Sequence, residues 1–235
     1  MPDADPGNHR QAGAHERKAL FLLARFERWA LPRIARALPS WILPDHLTAL
    51  GVLAASGIAV AYGLSNRDPA WLWAANLGLV VHWFGDSLDG TLARVRRAER
   101  PRYGYYLDHL TDAYSTVAIG IGLGLSPYML LSVGLAIVIA YLLLSINVYL
   151  ETHAFGEFRL DYGLLGPTEA RLALMALNTL ALFRPPLPFH VGVVGATLFD
   201  VIGGGLALTM GGLLASRVAR NLRTLSRLEP RTPKP

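Results

Sequence analysis

Four aspartates, grouped in two pairs, are the residues of this chain whose type and spacing best suit chemistry. Asp86 and Asp89 lie three positions apart, and Asp108 and Asp112 lie four positions apart. On an α-helix these spacings place side chains about 60° and about 40° apart around the axis, so each pair would share one face. The basic loop between the pairs is short, which predicts that their two helices are antiparallel neighbours. The four carboxylates should therefore converge.

Positive charge must accompany such a cluster, because neighbouring carboxylates repel one another or keep some of their number protonated. Ligand sets made of carboxylates alone favour the hard cations Mg²⁺ and Mn²⁺ and argue against zinc. Gly85, Gly90 and Gly104 lie beside the aspartates and leave room for a close backbone approach and for a phosphate. Arg94 follows on the same predicted helix and could pair with a carboxylate or a phosphate oxygen. The residues thus predict a divalent-cation site.

The elements that position these aspartates are predicted to cross a membrane. The chain of 235 residues is 52% hydrophobic, with a mean hydropathy of +0.34, which is too apolar for an ordinary soluble domain. It has no cysteine, so disulfides and thiolate metal sites are excluded. An aspartate at the bilayer centre costs about 2.5–3.5 kcal/mol on insertion scales, which strengthens the case for bound cations. Six segments are apolar enough to form spanning helices, of which the fifth is short: 47–64, 70–93, 105–125, 128–150, 170–183 and 191–216.

The segment before the first span has two parts. Residues 1–14 are polar and are predicted to be a disordered tail. Residues 15–39 intersperse Leu, Phe and Trp with Arg and Lys, which predicts an amphipathic helix in the headgroup region; a surface helix of a soluble domain is the alternative. Pro32 should kink or interrupt this helix near its end. Residues 40–222 would then form the six-helix domain, and residues 223–235 a cytoplasmic tail.

The basic residues are distributed as expected for a membrane protein with both termini in the cytoplasm. With that orientation, 20 of the 22 lysines and arginines lie on the cytoplasmic side, and only Arg67 and Arg184 lie outside it. This asymmetry is what the positive-inside rule predicts for six spans. It also places the aspartates near the cytoplasmic face. The formal net charge of +5 therefore reflects topology and anionic lipid, and nucleic acid is rejected as a partner.

The residues around the aspartates resemble the signature of the CDP-alcohol phosphotransferases, also called CDP-alcohol phosphatidyltransferases. That signature is Asp-x-x-Asp-Gly-x-x-Ala-Arg followed by Gly-x-x-x-Asp-x-x-x-Asp. Nine residues, 95–103, separate its halves here, where the family usually has eight. The Pro-Asp-His-Leu-Thr of residues 44–48 is similar to the family's Pro-Asn-x-Leu-Thr, with Asp45 in place of Asn. Every fixed residue of the signature is present: Asp86, Asp89, Gly90, Ala93, Arg94, Gly104, Asp108 and Asp112.

The resemblance implies a fold, a reaction and roles for residues. The fold would be an all-α integral membrane protein with six transmembrane helices and an N-terminal interfacial helix. The reaction would transfer a phospho-alcohol group from a CDP-linked donor to an alcohol and release CMP, in phospholipid biosynthesis. Asp86, Asp89 and Asp108 would ligate a pair of Mg²⁺ or Mn²⁺ ions, with Asp112 as a further ligand or as the base that accepts the hydroxyl proton. The nucleotide would contact Asp86, Gly90, Ala93, Arg94, Gly104 and Thr48.

Two segments favour CDP-choline or CDP-ethanolamine as donor, with a diacylglycerol-like acceptor. The Asp-His-x-x-Asp of residues 108–112 resembles that of aminoalcohol phosphotransferases, although those enzymes usually carry extra spans. Thr-His at 152–153 and Gly-Pro-Thr-Glu at 166–169 resemble their connection into the fifth core span, and the latter is also an ordinary helix start. Arg171 lies where a basic residue could hold a second phosphate, which leaves open CDP-diacylglycerol with glycerol phosphate, inositol phosphate or serine. His109, Glu169 and Arg171 are the candidate substrate-binding residues.

Two other functional classes remain as alternatives. Membrane prenyltransferases also bind pyrophosphate through aspartates and Mg²⁺, but they have more spans and lack the Gly-x-x-Ala-Arg continuation. A cation- or proton-coupled transporter could use the four aspartates as its ion site, although no inverted repeat is visible and the carboxylates lie near one membrane face. A purely structural membrane protein does not explain the carboxylates.

A few polar and small residues fall outside these motifs. Asp200, about ten residues into the last predicted span, is a candidate functional residue by default. Gly203, Ala207 and Gly211 repeat every four residues and indicate close helix packing, within the fold or across a homodimer. The histidines at 82, 153 and 190 are expected to be polar residues with satisfied hydrogen bonds and not metal ligands.

Overall fold

The computed structural model describes residues 23–155, 166–184, 189–191 and 194–230. Within these ranges, seven helices and one short antiparallel hairpin follow in chain order. They are α1 (Ala24–Ala37), α2 (Pro44–Leu64), α3 (Trp71–Val95), α4 (Pro101–Gly124), α5 (Leu131–Phe155), α6 (Pro167–Phe183), β1 (Phe189–Val191), β2 (Val194–Ala196) and α7 (Leu198–Leu228). The helical fold class is confirmed, and the hairpin is an addition to it. The predicted tail of residues 1–14 lies outside the described residues.

The helices correspond to the predicted spans, but they differ in polarity. Three of those described, α2, α5 and α7, are long and apolar enough to cross a membrane by length and composition. Helices α3 and α4 carry the aspartates together with further polar residues, and α6 has only 17 residues. The described residues therefore contain three candidate membrane spans, which suggest a membrane protein, and the count of six stays a prediction.

Helix α1 packs on the bundle through one narrow face. Leu31 and Ala35 are buried in a cluster with Leu47, Leu88 and Leu92. The helix runs through Pro32 without a break, so of the two predicted effects the interruption is wrong and the kink stays a prediction. Proline removes one backbone hydrogen bond, and the buried side chains on either side of it hold the helix against α3 across that loss.

A close crossing of α2 and α3 sets the position of the first aspartate pair. A Cβ atom on Gly85 would lie 2.6 Å from the carbonyl oxygen of Leu47 and 2.7 Å from the backbone nitrogen of Gly51. Only a glycine permits the two backbones to approach this closely. Asp86 follows Gly85 directly, so the crossing fixes the backbone position from which the Asp86 side chain extends.

Towards the opposite end of the bundle, a buried polar network joins α2, α3 and α6. Asn178 is fully buried, with 0% of its surface exposed. Its side-chain nitrogen Nδ2 donates to the Tyr62 hydroxyl at 2.9 Å and to the side-chain oxygen Oδ1 of Asn76 at 2.9 Å. The Tyr62 hydroxyl lies 3.0 Å from the Asn178 carbonyl oxygen. Buried amides that are satisfied in this way fix one arrangement of the helices.

The last helix begins later than predicted. Residues 189–191 pair with residues 194–196 as a hairpin, and α7 starts at Leu198. Asp200 therefore lies in the first turn of α7 and not in mid-span. Its carboxylate accepts hydrogen bonds from the backbone nitrogens of Thr197 and Leu130, both at 2.7 Å. Asp200 caps one helix and ties it to the start of α5, which gives the residue a structural role.

The small residues of α7 serve packing within the fold at one position. A Cβ atom on Gly203 would lie 2.9 Å from side-chain carbons of Met129 and Val133, whereas one on Gly211 would meet nothing within 4 Å. Within the part of the chain that the structure describes, the small-residue stripe thus contacts neighbouring residues at Gly203 and faces outward at Gly211.

Replacement of Asn178 should destabilise the protein more than its size suggests. Asn178→Ala leaves the Tyr62 hydroxyl and the Asn76 carbonyl without a partner, at about 1–3 kcal/mol for each buried group. Thermal unfolding of the purified protein should shift down by roughly 2–4 °C for each kcal/mol lost. Thr209→Ala, which removes an exposed hydroxyl bonded within its own helix, is the control. Equal midpoints for the two variants would contradict the network.

Candidate active site

Three of the four predicted aspartates meet at one end of the bundle. Carboxylate oxygens of Asp86 on α3 and of Asp108 and Asp112 on α4 all lie within 4.8 Å of one another. Each of the three residues is partly buried. Helices α3 and α4 each pack against α2, and this shared neighbour brings their carboxylates together. The prediction that the two helices pack directly on one another is therefore not confirmed. Three carboxylates at this separation concentrate negative charge, and they offer only hard oxygen ligands.

The fourth aspartate lies outside that group and has a partner of its own. The Thr48 hydroxyl donates to an oxygen of Asp89 at 2.6 Å. Thr48 is buried and sits in the first turns of α2. The two residues are 41 positions apart, which places the Thr48 of the predicted nucleotide-binding set directly beside the signature. The hydroxyl orients the Asp89 carboxylate at the edge of the cluster.

An arginine from α6 reaches into the cluster. Arg171 Nη2 donates to Asp86 Oδ2 at 2.5 Å, and the two side chains are 13% and 22% exposed. A charge-assisted contact of this length in a partly buried place is a strong one. Arg171 was a candidate for binding substrate phosphate. The structure brings it to the carboxylates themselves, across 85 positions of sequence.

The other two candidate substrate-binding residues differ in their surroundings. Both carboxylate oxygens of Glu169 accept backbone hydrogen bonds, at 3.0 Å from Gly166 and at 2.9 Å from Leu23. His109 lies beside the cluster: its Nδ1 is 2.8 Å from the carbonyl oxygen of Tyr105 and 3.6 Å from an Asp108 oxygen. The geometry therefore associates His109 with the carboxylates and Glu169 with the junction between α6 and α1.

Aromatic rings surround His109 on the same side. The ring centroids of Tyr105 and His109 are 4.1 Å apart, and those of His109 and Tyr149 are 5.3 Å apart. Tyr105 precedes Asp108 on α4, and Tyr149 comes from α5. This aromatic cluster borders the carboxylates with ring faces that attract cationic groups.

The remaining signature residues lie at the open end of the site. Gly90, Arg94 and Gly104 are exposed, and Ala93 is partly buried. A Cβ atom on Gly104 would meet nothing within 4 Å, and one on Gly90 would lie 3.6 Å from the Arg94 guanidinium. Protein packing does not require these glycines, so the space beside them is available to a ligand.

The basic loop between α3 and α4 is tied to α2. Arg100 donates to both oxygens of Asp45, at 2.5 and 2.7 Å. This bidentate pair raises the pKa of the Arg100 guanidinium. Arg96 donates to backbone carbonyls of the α1–α2 connection, including that of Pro39 at 2.8 Å. Arg96 and Arg100, which lie outside the fixed residues of the motif, thus attach this loop to the start of α2 and to the segment before it.

One buried histidine lacks the partners that were expected of it. His82 is 4% exposed and lies one helical turn before Asp86. Its Nδ1 has no hydrogen-bond partner among the described residues, so the expectation that this histidine is satisfied is wrong. The sequence carried a signal for it, because the i, i+4 spacing places His82 on the face of Asp86. His153, by contrast, is exposed at the end of α5.

Comparison with known proteins identifies the family. The family model described as CDP-alcohol phosphatidyltransferase matches residues 41–209. The match covers the helices that carry the carboxylates, Thr48 and Arg171, and it leaves α1 outside.

Loss of the arginine should expose the need of the cluster for positive charge. Arg171→Gln leaves the carboxylates without this counter-charge, so its unfolding midpoint in EDTA should fall below that of the unchanged protein. Millimolar Mg²⁺ or Mn²⁺ should then raise the midpoint of Arg171→Gln more than that of the unchanged protein. Thermal unfolding with and without cation measures both effects.

Arg100→Gln is the matched control, because it also breaks an arginine–aspartate pair between elements, but that pair is 53% and 42% exposed. Exposed pairs contribute little to stability. If cations stabilise both variants equally, Arg171 does not compete with cations for the three carboxylates.

Proposed function

The chain belongs to the CDP-alcohol phosphatidyltransferase family, and from that membership we propose a divalent-cation-dependent transferase with the carboxylate cluster as its catalytic centre. Members of this family transfer a phospho-alcohol group from a CDP-alcohol in phospholipid synthesis. The observation that carries the assignment of the site is the meeting of Asp86, Asp108 and Asp112 within 4.8 Å. A transporter finds no support beside this family membership.

The proposed chemistry needs a nucleophile, a leaving group and a proton acceptor. The oxygen of an alcohol attacks the phosphorus atom that carries the donor's own alcohol group. A new P–O bond forms, the P–O bond to CMP breaks, and CMP leaves with the bonding electrons. The proton of the attacking hydroxyl passes to a carboxylate, for which we propose Asp112. Asp112 lies one turn further into α4 than Asp108, on the side from which a lipid alcohol would arrive.

The residues present fit a divalent cation. Asp86, Asp108 and Asp112 offer carboxylate oxygens only, which suits Mg²⁺ or Mn²⁺. We propose that they hold two such ions together with Asp89, which the Thr48 hydroxyl orients beside them. When bound, the ions would neutralise the phosphates and the charge that develops on the leaving CMP. Gly90, Ala93, Arg94 and Gly104 border the open space in which the nucleotide would lie.

For the donor we propose CDP-choline or CDP-ethanolamine, with a diacylglycerol-like acceptor. The support is the aromatic cluster of Tyr105, His109 and Tyr149 beside Asp108, because ring faces attract an ammonium group. The alternative is CDP-diacylglycerol with glycerol phosphate, inositol phosphate or serine. That alternative would use Arg171 for a second phosphate, and Arg171 would then have to leave Asp86.

We also propose an orientation and an assembly. The carboxylates would face the cytoplasm, with both termini on that side and α1 in the headgroup region. Phe26 and Trp29 on α1 are 55% and 58% exposed, and Arg33 stacks on Trp29 at 4.3 Å. An exposed face of aromatic and basic residues suits an anionic lipid surface. The outward-facing Gly211 on α7 leaves a surface on which a second copy could pack as a homodimer.

Release of CMP by the purified protein tests the reaction and the donor together. With Mg²⁺ or Mn²⁺ present, we expect CMP from CDP-choline or CDP-ethanolamine plus diacylglycerol. Release only from CDP-diacylglycerol plus a polar alcohol would overturn the donor assignment and keep the reaction. Folded protein that releases no CMP from either donor class would contradict the proposed activity.

Single carboxylate replacements should separate the roles within the cluster. Asp112→Asn removes the proposed proton acceptor and should lower kcat by about 10²–10⁴-fold. Asp108→Asn removes a proposed ligand, so it should also abolish turnover and weaken Mn²⁺ binding. Both proteins should remain folded. Asp200→Asn is the control for a buried aspartate, and it should affect stability and not the affinity for Mn²⁺. Full activity of Asp108→Asn would sink the assignment of the ligands.

A further inference from the structure

A glutamate of α1 joins three helices next to the carboxylate cluster. Glu27 Oε1 accepts a hydrogen bond from Trp83 Nε1 on α3 at 3.0 Å. The same oxygen accepts one from the Thr168 hydroxyl on α6 at 2.5 Å. All three residues are partly buried. Glu27 lies outside the segment that the family model matches.

A second contact attaches the same helix to the same place. The backbone nitrogen of Leu23 donates to Glu169 Oε1 at 2.9 Å. Since the other oxygen of Glu169 caps the start of α6, the first turn of that helix is held from two directions by α1. Arg171 lies three residues beyond Thr168 and donates to Asp86.

Helix α1 is held against the bundle at its middle and at its C-terminal end. Its middle is buried through Leu31 and Ala35. Its C-terminal end is held by Arg96, which donates to the carbonyl oxygens of Leu38 and Pro39 at 3.2 and 2.8 Å. A helix anchored at its middle and far end presents Glu27 at a defined position.

We propose that Glu27 is a positioning residue, which fixes the first turn of α6 through Thr168 and so holds Arg171 against Asp86. Trp83, three residues before Asp86 on α3, supplies the second donor. It thereby attaches Glu27 to the helix that carries the Asp86 carboxylate. Glu27 therefore determines how strongly Arg171 pairs with the Asp86 carboxylate before a cation binds. This inference rests on the proposed cation site, and its test does not require turnover.

The test is a double-mutant cycle on Mn²⁺ affinity, measured by the paramagnetic resonance of free Mn²⁺ with the full-length purified protein. Arg171→Gln removes a competing positive charge and should tighten Mn²⁺ binding by about tenfold or more. Glu27→Ala frees Arg171 from Asp86 and should tighten binding in the same direction by a smaller factor. In the Arg171→Gln background, Glu27→Ala should then have no further effect. Glu27→Gln, which keeps an acceptor oxygen, should restore most of the original affinity.

The controls separate positioning from general damage. Thr168→Val should reproduce the effect of Glu27→Ala, and the exposed α1 substitution Arg28→Ala should leave Mn²⁺ affinity unchanged. Equal effects of Glu27→Ala with and without Arg171 would overturn the proposal, because a merely structural role does not depend on the arginine. Absence of Mn²⁺ binding in the unchanged protein would overturn the cation site and this inference together. Normal Mn²⁺ binding without CMP release would overturn only the proposed reaction.

A geometric measurement covers the case in which Glu27→Ala does not fold. The chain has no cysteine, so cysteines introduced at Glu27 and Thr168 can be linked by a short bifunctional thiosulfonate without background reaction. After cleavage of the backbone between α1 and α6, we expect the cross-link to keep the two fragments that carry positions 27 and 168 together. Cysteines at Arg28 and Thr168 are the matched pair and should not link. Failure of the first pair, or equal linking of both, would contradict the contact.

Discussion

Repulsion among three carboxylates is the constraint on which the site end of this structure depends. Asp86, Asp108 and Asp112 place oxygens within 4.8 Å of one another, where like charges destabilise the ionised forms. Close packing of α3 and α4 against α2 opposes this repulsion. Gly85 allows α3 to touch the backbone of α2, and Arg171 supplies a compensating charge from α6. Packing and charge therefore both contribute to holding the cluster together.

Comparison of two aspartates shows why burial alone does not indicate function. Asp200 is more buried than any member of the cluster, at 7% exposure, yet its carboxylate receives two backbone N–H groups and has no remaining need of a cation. Asp86 instead faces other carboxylates and an arginine. A carboxylate satisfied by fixed backbone donors is a helix cap, whereas carboxylates that face one another require a positive charge to offset their repulsion. The same distinction separates the Asn178 network, which is complete, from His82, whose Nδ1 has no partner among the described residues.

The sequence predicted the helical fold and the shared face within each aspartate pair, because both follow from short-range spacing. The meeting of three of the four carboxylates depends in addition on the packing of α3 and α4 against α2. Apolar segment lengths located α2 to α6, and the i, i+3 and i, i+4 intervals placed each aspartate pair on one face. The later start of α7 could not be read in this way, since the segment before it is apolar enough to continue a span, but residues 189–191 pair with residues 194–196 as a hairpin. The helix also continues through Pro32, because the burial of Leu31 and Ala35, which depends on packing against α3, offsets the local cost of the proline.

Contacts between distant residues were beyond the reach of spacing. Arg171 pairs with Asp86 across 85 positions, and Glu27 meets Thr168 across 141. The sequence singled out Arg171 for a substrate phosphate, but no pattern indicates that it pairs with Asp86 or that Glu27 meets Thr168, because each contact depends on how whole helices pack. The signature residues thus define the chemistry that the site can perform. In the proposed arrangement, residues outside the signature, Arg171 and Glu27 among them, balance the charge of the cluster before a substrate arrives.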